Sequence, residues 1–466
     1  MKYIAIDIGS SFAKSAVLDL EKKKVSSFKK VAQPKRSGGG RRFEVDADGI
    51  FNGVRSVIDS YLDEYGDIAG ILLSTQMHGF ILANEDGSPI CPYVSWQDER
   101  CLEHYDDRQT YLEHLESMIS REEMKNNGVY LKPPLAACNL YTMLAQGLEL
   151  PEGARFCTLG SYIILRLTGN NECHITNAAP CGLVDVAARR WNTELIRRFG
   201  FEGLSFPVLH SDLSPCGSYT YKGRSIPVYP DVGDQQTGAL GSLAKPRSDL
   251  IANIATAAQL GYITDKFVPG PYEIRPFFEN TYLYTISRLP GGRNMEVLIN
   301  FFADIAAAVT GVPVETKEVF GAVDRTVDSL ESCGITVNSS FFKTEEYDCG
   351  SIGGIYFDNL TMKHVISAFY EDVSNEFLKA ANKLPAPLAS IERMVFSGGV
   401  AARTPLLRRQ VLDRLGINGT RPPVEDEVFI GHYRMALFVS GASDALLDNT
   451  GMVENADGGV NVEVEQ

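Results

Sequence analysis

No two of the nine cysteines form a Cys-x-x-Cys pair, which removes the usual frame of a structural zinc module and of a thiol–disulfide exchanger. The cysteines, among them Cys91, Cys101, Cys138 and Cys157, are odd in number and scattered, so reduced and mostly buried thiols are expected. Excess positive charge is also missing: 44 Lys and Arg stand against 59 Asp and Glu, a formal net charge of −15. Such a surface repels phosphate backbones, so nucleic acid is not an expected partner, and an anionic substrate would need a local basic site. Long apolar runs are lacking too. Asp7 falls inside what would be the apolar part of a signal peptide, and the apolar stretch near Val297 is broken by Asn300 and Asp304. Neither export nor a membrane partner is expected, and together with the thiols this points to the cytoplasm. Finally there is no Gly-x-x-x-x-Gly-Lys-Ser/Thr loop and no Gly-x-Gly-x-x-Gly in the first glycine turn, which disfavours P-loop and Rossmann nucleotide sites.

What is present is the composition of an ordinary folded protein, 44% hydrophobic and 22% charged over 466 residues, enough chain for two or more cores. The runs Tyr3–Ile8 and Ser15–Leu20 flank Gly9-Ser10-Ser11-Phe12-Ala13-Lys14 and read as a β-hairpin. Lys35 to Arg42 is basic and glycine-rich, a surface loop, and Ile50–Tyr65 has helical apolar spacing before a strand at Ile68–Ser74. Strands alternating with helices imply an α/β fold. After turn residues at Lys245-Pro246-Arg247-Ser248, the segments Leu250–Ala255, Thr256-Ala257-Ala258 and Gln259–Thr264 repeat strand, small-residue turn and strand. Two such units, one opening each half, predict a duplicated fold whose turns face a shared cleft. The division is placed at 1–245 and 246–466. Helices are predicted at Met295–Val309 and Met362–Lys383, and a strand at Arg393–Phe396 before Ser397-Gly398-Gly399. The acidic, glycine-bearing tail after Thr450 is expected to fray.

Asp7-Ile8-Gly9-Ser10-Ser11 ends a strand with a carboxylate and then offers backbone N–H groups unobstructed by large side chains, as a polyphosphate and its metal ion require, with Lys14 as a nearby cation. A plain hairpin turn with a solvated Asp is the simpler reading of these residues alone. Asp231-Val232-Gly233-Asp234-Gln235-Gln236-Thr237-Gly238 sets acids and amides beside glycines just before the second half. Phosphoryl transfer to an alcohol needs an acceptor for the hydroxyl proton, and Asp234 is the candidate base. Helix N-capping by Asp231 or Asp234 is the structural alternative.

In order along the chain, Asp7-x-Gly9-Ser10-Ser11-x-x-Lys14, Ser74-Thr75-Gln76-Met77-His78-Gly79, Val94-Ser95-Trp96-Gln97-Asp98-Glu99-Arg100-Cys101, Gly233-Asp234-Gln235 and Phe396-Ser397-Gly398-Gly399-Val400-Ala401 resemble the FGGY carbohydrate kinases over nearly the whole length. The resemblance implies a two-domain actin-like (ribonuclease H-like) ATPase fold with an interdomain cleft. It also implies ATP-dependent phosphorylation of a primary hydroxyl of a sugar. By it, Asp234 is the catalytic base and Asp7 helps hold Mg²⁺. Gly9, Ser10, Ser11, Lys14 and Thr256 line the phosphates, and Gly398, Gly399 and Arg403 lie near adenine and ribose. Gln76, Met77, His78, Trp96, Asp98, Asp234 and Gln235 contact the sugar. Gln76-Met77-His78-Gly79 differs from the glycerol kinase pattern, in which an Arg-Glu pair stands in place of Met77-His78. The agreements at Trp96–Cys101, Thr256–Leu260, Arg275-Pro276-Phe277-Phe278 and Leu289–Gly292 look more like sedoheptulokinase, with xylulokinase second.

Two positions depart from the family. Ala255 stands where many members have glycine before the phosphate-contacting threonine, and Arg403 where some have asparagine. An alanine methyl costs about 1 kcal/mol or more at positive φ and almost nothing at ordinary φ. A sugar or nucleotide sensor on the same fold is the non-enzyme alternative, and an actin-like filament or chaperone ATPase a third. The expected partners are ATP and a small sugar, and a homodimer remains compatible with the sequence.

Overall fold

A computed structural model describes residues 1–342, 349–420, 427–448 and 462–464. The first sheet contains β1 (Lys2–Ile8), β2 (Phe12–Asp19), β3 (Lys24–Ala32), β4 (Ile68–Thr75), β5 (Gly217–Tyr221) and β6 (Arg224–Gly233). The second contains β7 (Asp249–Ile254), β8 (Ala258–Thr264), β9 (Glu273–Pro276), β10 (Tyr282–Leu289), β11 (Arg393–Ser397) and β12 (Asn418–Thr420). Their spatial orders run β5-β6-β4-β1-β2-β3 and β9-β10-β8-β7-β11-β12. In both, an opening strand pairs antiparallel with its hairpin partner on one side and parallel with a later strand on the other, β4 beside β1 and β11 beside β7. The two halves therefore share one plan, as the repeated hairpins predict.

Alternation along β1 decides what each face does. Ile4, Ile6 and Ile8 enter the core under α1 (Ala47–Glu64), whereas Tyr3 and Ala5 enter the core between the two sheets. Asp7 continues the second series, at the strand end nearest the cleft. In β7, Leu250, Ala252 and Ile254 go to the outer core with the helices α3 (Gly292–Thr310) and α4 (Met362–Lys383), and Ile251 goes to the central one. Asn253, the counterpart of Asp7, donates to Ser397 Oγ at 3.0 Å.

Between the sheets lie α2 (Asp234–Gly241) and α5 (Glu427–Val439). Helix α5 packs on α2 and on the first sheet, and a last strand β13 (Glu463–Val464) pairs with β3. The chain's end thus returns to the first half, so the span 246–466 is not one continuous unit. The expected fraying of the tail falls mostly at 449–461 and 465–466, outside the described residues, but Glu463–Val464 is a paired edge strand. The first turn is shorter than the sequence suggests, because Phe12 to Lys14 already lie in β2, with Lys14 opposite Asp7. No helix among the described residues is long and apolar enough to cross a membrane.

Helices α2 and α5 meet backbone to backbone. A Cβ at Gly241 would lie 1.7 Å from the Glu427 carbonyl oxygen, and one at Gly431 2.1 Å from that of Thr237. Gly431→Ala and Gly241→Ala are each expected to destabilise the protein by about 1–3 kcal/mol or more, read as a fall in Tm. Gly66→Ala, where a Cβ meets nothing within 4 Å, should leave Tm within a degree or two, corresponding to about 0.5 kcal/mol.

Candidate active site

The cleft floor starts at the end of β1. The Gly9 N–H donates to the Phe12 carbonyl at 3.0 Å, and the Gly9 carbonyl accepts from Gln33 Nε2 at 3.1 Å and Gln76 Nε2 at 3.4 Å. Ser10 and Ser11 at the top of the turn are exposed. Asp7 Oδ1 accepts from Ser74 Oγ at 2.8 Å, and Ser74 Oγ lies 2.9 Å from His432 Nε2. Since Ser74 gives its only proton to Asp7, His432 must donate from Nε2, leaving Nδ1 as an acceptor. Burial holds this ring neutral, its pKa lowered to about 3. The Asp7 carboxylate and the serine hydroxyls form an oxygen-rich, hard donor set that suits Mg²⁺ with its water shell, and the N–H groups of the turn suit phosphate oxygens.

Asp234 opens α2 directly after β6, and the strand approaches closely there: a Cβ on Gly233 would sit 2.5 Å from Met77 Sδ and 2.4 Å from Gln236 Oε1. Asp234 keeps a solvent-facing edge while protein closes around it. Its pKa is raised from 3.8 to about 7, first by burial and then by the charge of Asp7; the Gln235 N–H bond and Arg275 pull the other way. Two carboxylates on one cleft floor cannot both ionise without cost. Tyr93, fully buried beneath, has its ionisation pushed far up by burial and by Asp234, and its hydroxyl has no hydrogen-bond partner among the described residues. Gly79 must be glycine here, because a Cβ would lie 2.3 Å from that hydroxyl.

Gln76, Met77 and His78 follow β4. Gln76 and Met77 are buried, and Gln76 Oε1 has no hydrogen-bond partner among the described residues. His78 adopts φ +71°, unusual for a residue with a Cβ. Its Nδ1 donates to the Pro180 carbonyl at 2.9 Å, which leaves Nε2 an acceptor. Its pKa is lowered to about 3, by burial first and then by Arg275 and Lys132. Trp96 is 40% exposed, a ring available as a platform. Asp98 is fully buried. It accepts from Arg100 Nε and Nη2 at 2.8 Å each, from the Arg100 N–H at 3.0 Å and from the Phe43 N–H at 2.7 Å. The expectation that Asp98 binds substrate is therefore corrected: both oxygens are occupied in holding the Trp96 loop.

Gln235 is also engaged more fully than expected. Its Oε1 accepts from Arg275 Nη1, and its Nε2 donates to Gln259 Oε1 at 2.8 Å and Thr285 Oγ1 at 3.3 Å. It thereby ties α2 to the second sheet. Arg275 pairs with Glu273 at 2.7 Å, and Glu273 also pairs with Lys132. Burial alone would raise the Glu273 carboxyl, but Arg275 and Lys132 outweigh it and hold it below the usual range. Sequence reading assigned no site role to Lys132, Glu273, Arg275, Tyr93 or His432; only Arg275 carried a signal, in the Arg-Pro-Phe-Phe run.

Across the cleft, Thr256 and Ala257 are exposed on the turn between β7 and β8. The turn is pinned by the Gly292 N–H to Ala255 carbonyl bond at 2.8 Å and the Arg293 N–H to Thr256 carbonyl bond at 2.9 Å. Ala255 is not among the positive-φ residues, so its methyl carries no strain. Gly398 does need glycine: φ is +89°, and a Cβ would lie 2.5 Å from the Ile254 carbonyl oxygen. Gly399 and Arg403 are exposed at the ends of the short helix Gly399–Arg403, with the guanidinium lying over Gly399. The structure thus gathers Asp7, the Gly9–Ser11 turn, Gln76–His78 and Asp234 on the first half, and the Thr256 turn with Gly398-Gly399 on the second.

Residues 2–241 match the model of the FGGY family of carbohydrate kinases, N-terminal domain. The chain is 25% identical over 264 residues to the xylulose kinase of Staphylococcus xylosus, a match covering 54% of this chain and 53%, about half, of that protein. It is 22% identical over 483 aligned positions to the glycerol kinase of Coxiella burnetii (strain Dugway 5J108-111), covering 96% and 91% of the two chains. The Plasmodium falciparum glycerol kinase solved with ADP superposes with a TM-score of 0.81 at 16% identity, over 96% of this chain and 90% of that one. The fold is that of two-domain α/β sugar kinases.

Because the Asp234 pKa is about 7 in the folded chain against an ordinary 3.8, the folded state holds a proton there that the unfolded chain loses. Below the unfolded pKa both states are protonated and no penalty arises; the penalty grows through the window between the two values and is complete above the folded one. Asp234→Asn, which keeps the acceptor for Gln235, is therefore expected to raise Tm at about pH 8 and to change it little below about pH 4. Melting curves across that range check it.

Proposed function

The chain belongs to the FGGY family of carbohydrate kinases, and we propose from that premise that it transfers the γ-phosphoryl group of ATP to a primary hydroxyl of a ketose, with sedoheptulose ranked first and xylulose second. The observation that carries the reading is a carboxylate tuned to about 7 at the head of α2, beside Asp7 of the first sheet and joined through Gln235 to Gln259 and Thr285 of the second. A base poised near working pH balances readiness to accept a proton against remaining ionised. Asp234 takes the hydroxyl proton as the sugar oxygen bonds to the γ-phosphorus, the bond to the β–γ bridging oxygen breaks, and ADP leaves with that electron pair. Asp7, oriented by Ser74, would organise the water shell of Mg²⁺, whose charge offsets that of the transferring phosphoryl group. The Gly9–Ser11 and Thr256 turns offer backbone amides to the phosphates, and Gly398-Gly399 let the nucleotide approach the backbone closely.

For the sugar, Gln76 Oε1 and the neutral His78 Nε2 accept from hydroxyls, and Trp96 supplies an apolar face. The ranking of sedoheptulose rests on the Trp96–Cys101, Thr256–Leu260 and Arg275–Phe278 agreements. The free state of all nine cysteines supports a reducing compartment, the cytoplasm.

Asp234→Asn should lower kcat by about 10²–10⁴-fold with nucleotide and sugar binding largely kept; near-normal kcat would remove Asp234 from its role. The acid limb of kcat/KM should lie near the Asp234 pKa, and Arg275→Gln, which removes a charge that lowers it, should move that limb to higher pH. A coupled ADP-release screen over sedoheptulose, xylulose, ribulose, fructose, erythritol and glycerol should give the highest kcat/KM for sedoheptulose. A higher value for another of these sugars would replace the substrate assignment, and sugar binding without ADP release would favour the sensor.

A further inference from the structure

Away from the cleft, three side chains of different chemistry converge from three separate stretches of backbone. The short strands Glu172–His174 and Val208–His210 pair in parallel, with Val208 opposite Glu172 and His210 opposite His174. Two-residue periodicity places Glu172 and His210 on the same face. The His210 Nε2 to Glu172 Oε2 distance is 2.5 Å. Cys216, buried just before β5, lies against Glu172. One donor atom from each of Glu172, His210 and Cys216 falls within 4.8 Å of the other two.

The geometry points to a binding site for a borderline-soft divalent cation of the zinc class, held by Glu172 Oε2, His210 Nε2 and Cys216 Sγ. Metal–ligand bonds of about 2.0–2.3 Å in a tetrahedron set donor separations of about 3.3–3.7 Å. The cation would replace the His210–Glu172 hydrogen bond, widen that pair and draw Cys216 inward, a movement side-chain rotation can supply. The thiol proton is released to solvent as the sulfur binds.

Two further observations fit a metal better than a lone ion pair. On the far side of the imidazole, Nδ1 faces Asp212 Oδ1 at 3.8 Å, the carboxylate–histidine order that orients a metal-bound ring. The backbone on which the cysteine sits is held on both sides, the Cys216 N–H donating to the Val228 carbonyl and Asn170 Nδ2 to the Cys216 carbonyl, each at 2.8 Å. Glu172 and His210 are half-buried, so an ion can reach the site and a fourth position stays open for water. The strand Glu172–His174 is tied to β6 by the His174 N–H to Asp231 Oδ1 bond at 3.1 Å. A cation here would therefore staple the strand that ends at Gly233.

The test uses the full chain, stripped with chelator and titrated with Co²⁺ and then Zn²⁺ in the presence of excess Mg²⁺. Wild type is expected to take up one Co²⁺ with a thiolate-to-metal charge-transfer band in the near ultraviolet, and one Zn²⁺ that displaces it and raises Tm. Cys216→Ser should abolish the band. His210→Gln, at a position that is not fully buried, should abolish the Tm rise, and Asp212→Asn should weaken affinity about 10-fold. No stoichiometric band or Tm rise in wild type, a band that survives in Cys216→Ser, or displacement by Mg²⁺ would each overturn the site.

Discussion

Where α2 crosses α5 there is no room for a side chain, and the geometry of both carboxylates on the cleft floor hangs from that crossing. Gly241 and Gly431 let the two helices touch through their carbonyls. The head of α2 then falls where β6 delivers Asp234, and the residue after Gly431 is His432, which reaches Asp7 through Ser74. A bulkier contact would push α5 outward, separating His432 from Ser74 and loosening the strand end that carries Asp7. The close approach of Gly233 to Met77 repeats the device within the first half, where it brings the sugar-side segment against the base.

The electrostatics are set by the same crowding. Burial and Asp7 raise Asp234, whereas Arg275 restrains the rise. Arg275 belongs to the second sheet and contacts Gln235, the neighbour of the base. The acidity of the base thus depends on a residue that only the assembled halves supply. Glu273 and Lys132 complete a buried charge network that is costly to desolvate and costlier to break. Such a network is better understood as positioning Arg275 and Gln235 than as a source of stability.

The outline of the fold was legible because it is local. Hairpins separated by small-residue turns, helical apolar spacing at Ile50–Tyr65 and strand runs at Ile68–Ser74 and Arg393–Phe396 all match elements of the structure to within a few residues. Asp7, Asp234 and the two turns were legible for a related reason: each sits at a strand end or helix start, where neighbouring glycines and serines mark the backbone. Asp98 misled because a carboxylate beside a tryptophan looks the same in sequence whether it faces a ligand or an arginine two residues away. Ala255 resolved itself only when its φ was seen to be ordinary.

The sequence by itself determined the duplicated α/β plan, the two turns, the acids beside them and the membership that those motifs carry, since all of these are written in contiguous residues. Only the tertiary structure decided which polar groups meet. Ser74 and His432 lie 358 residues apart, and Lys132 and Glu273 lie 141 apart. Glu172, His210 and Cys216 come together only once their strands are placed. Their partners are chosen by how sheets stack and helices cross, and no local period encodes that. The raised pKa of Asp234 belongs to the same class, because exclusion of water and the approach of Asp7 and Arg275 are properties of the assembled cleft.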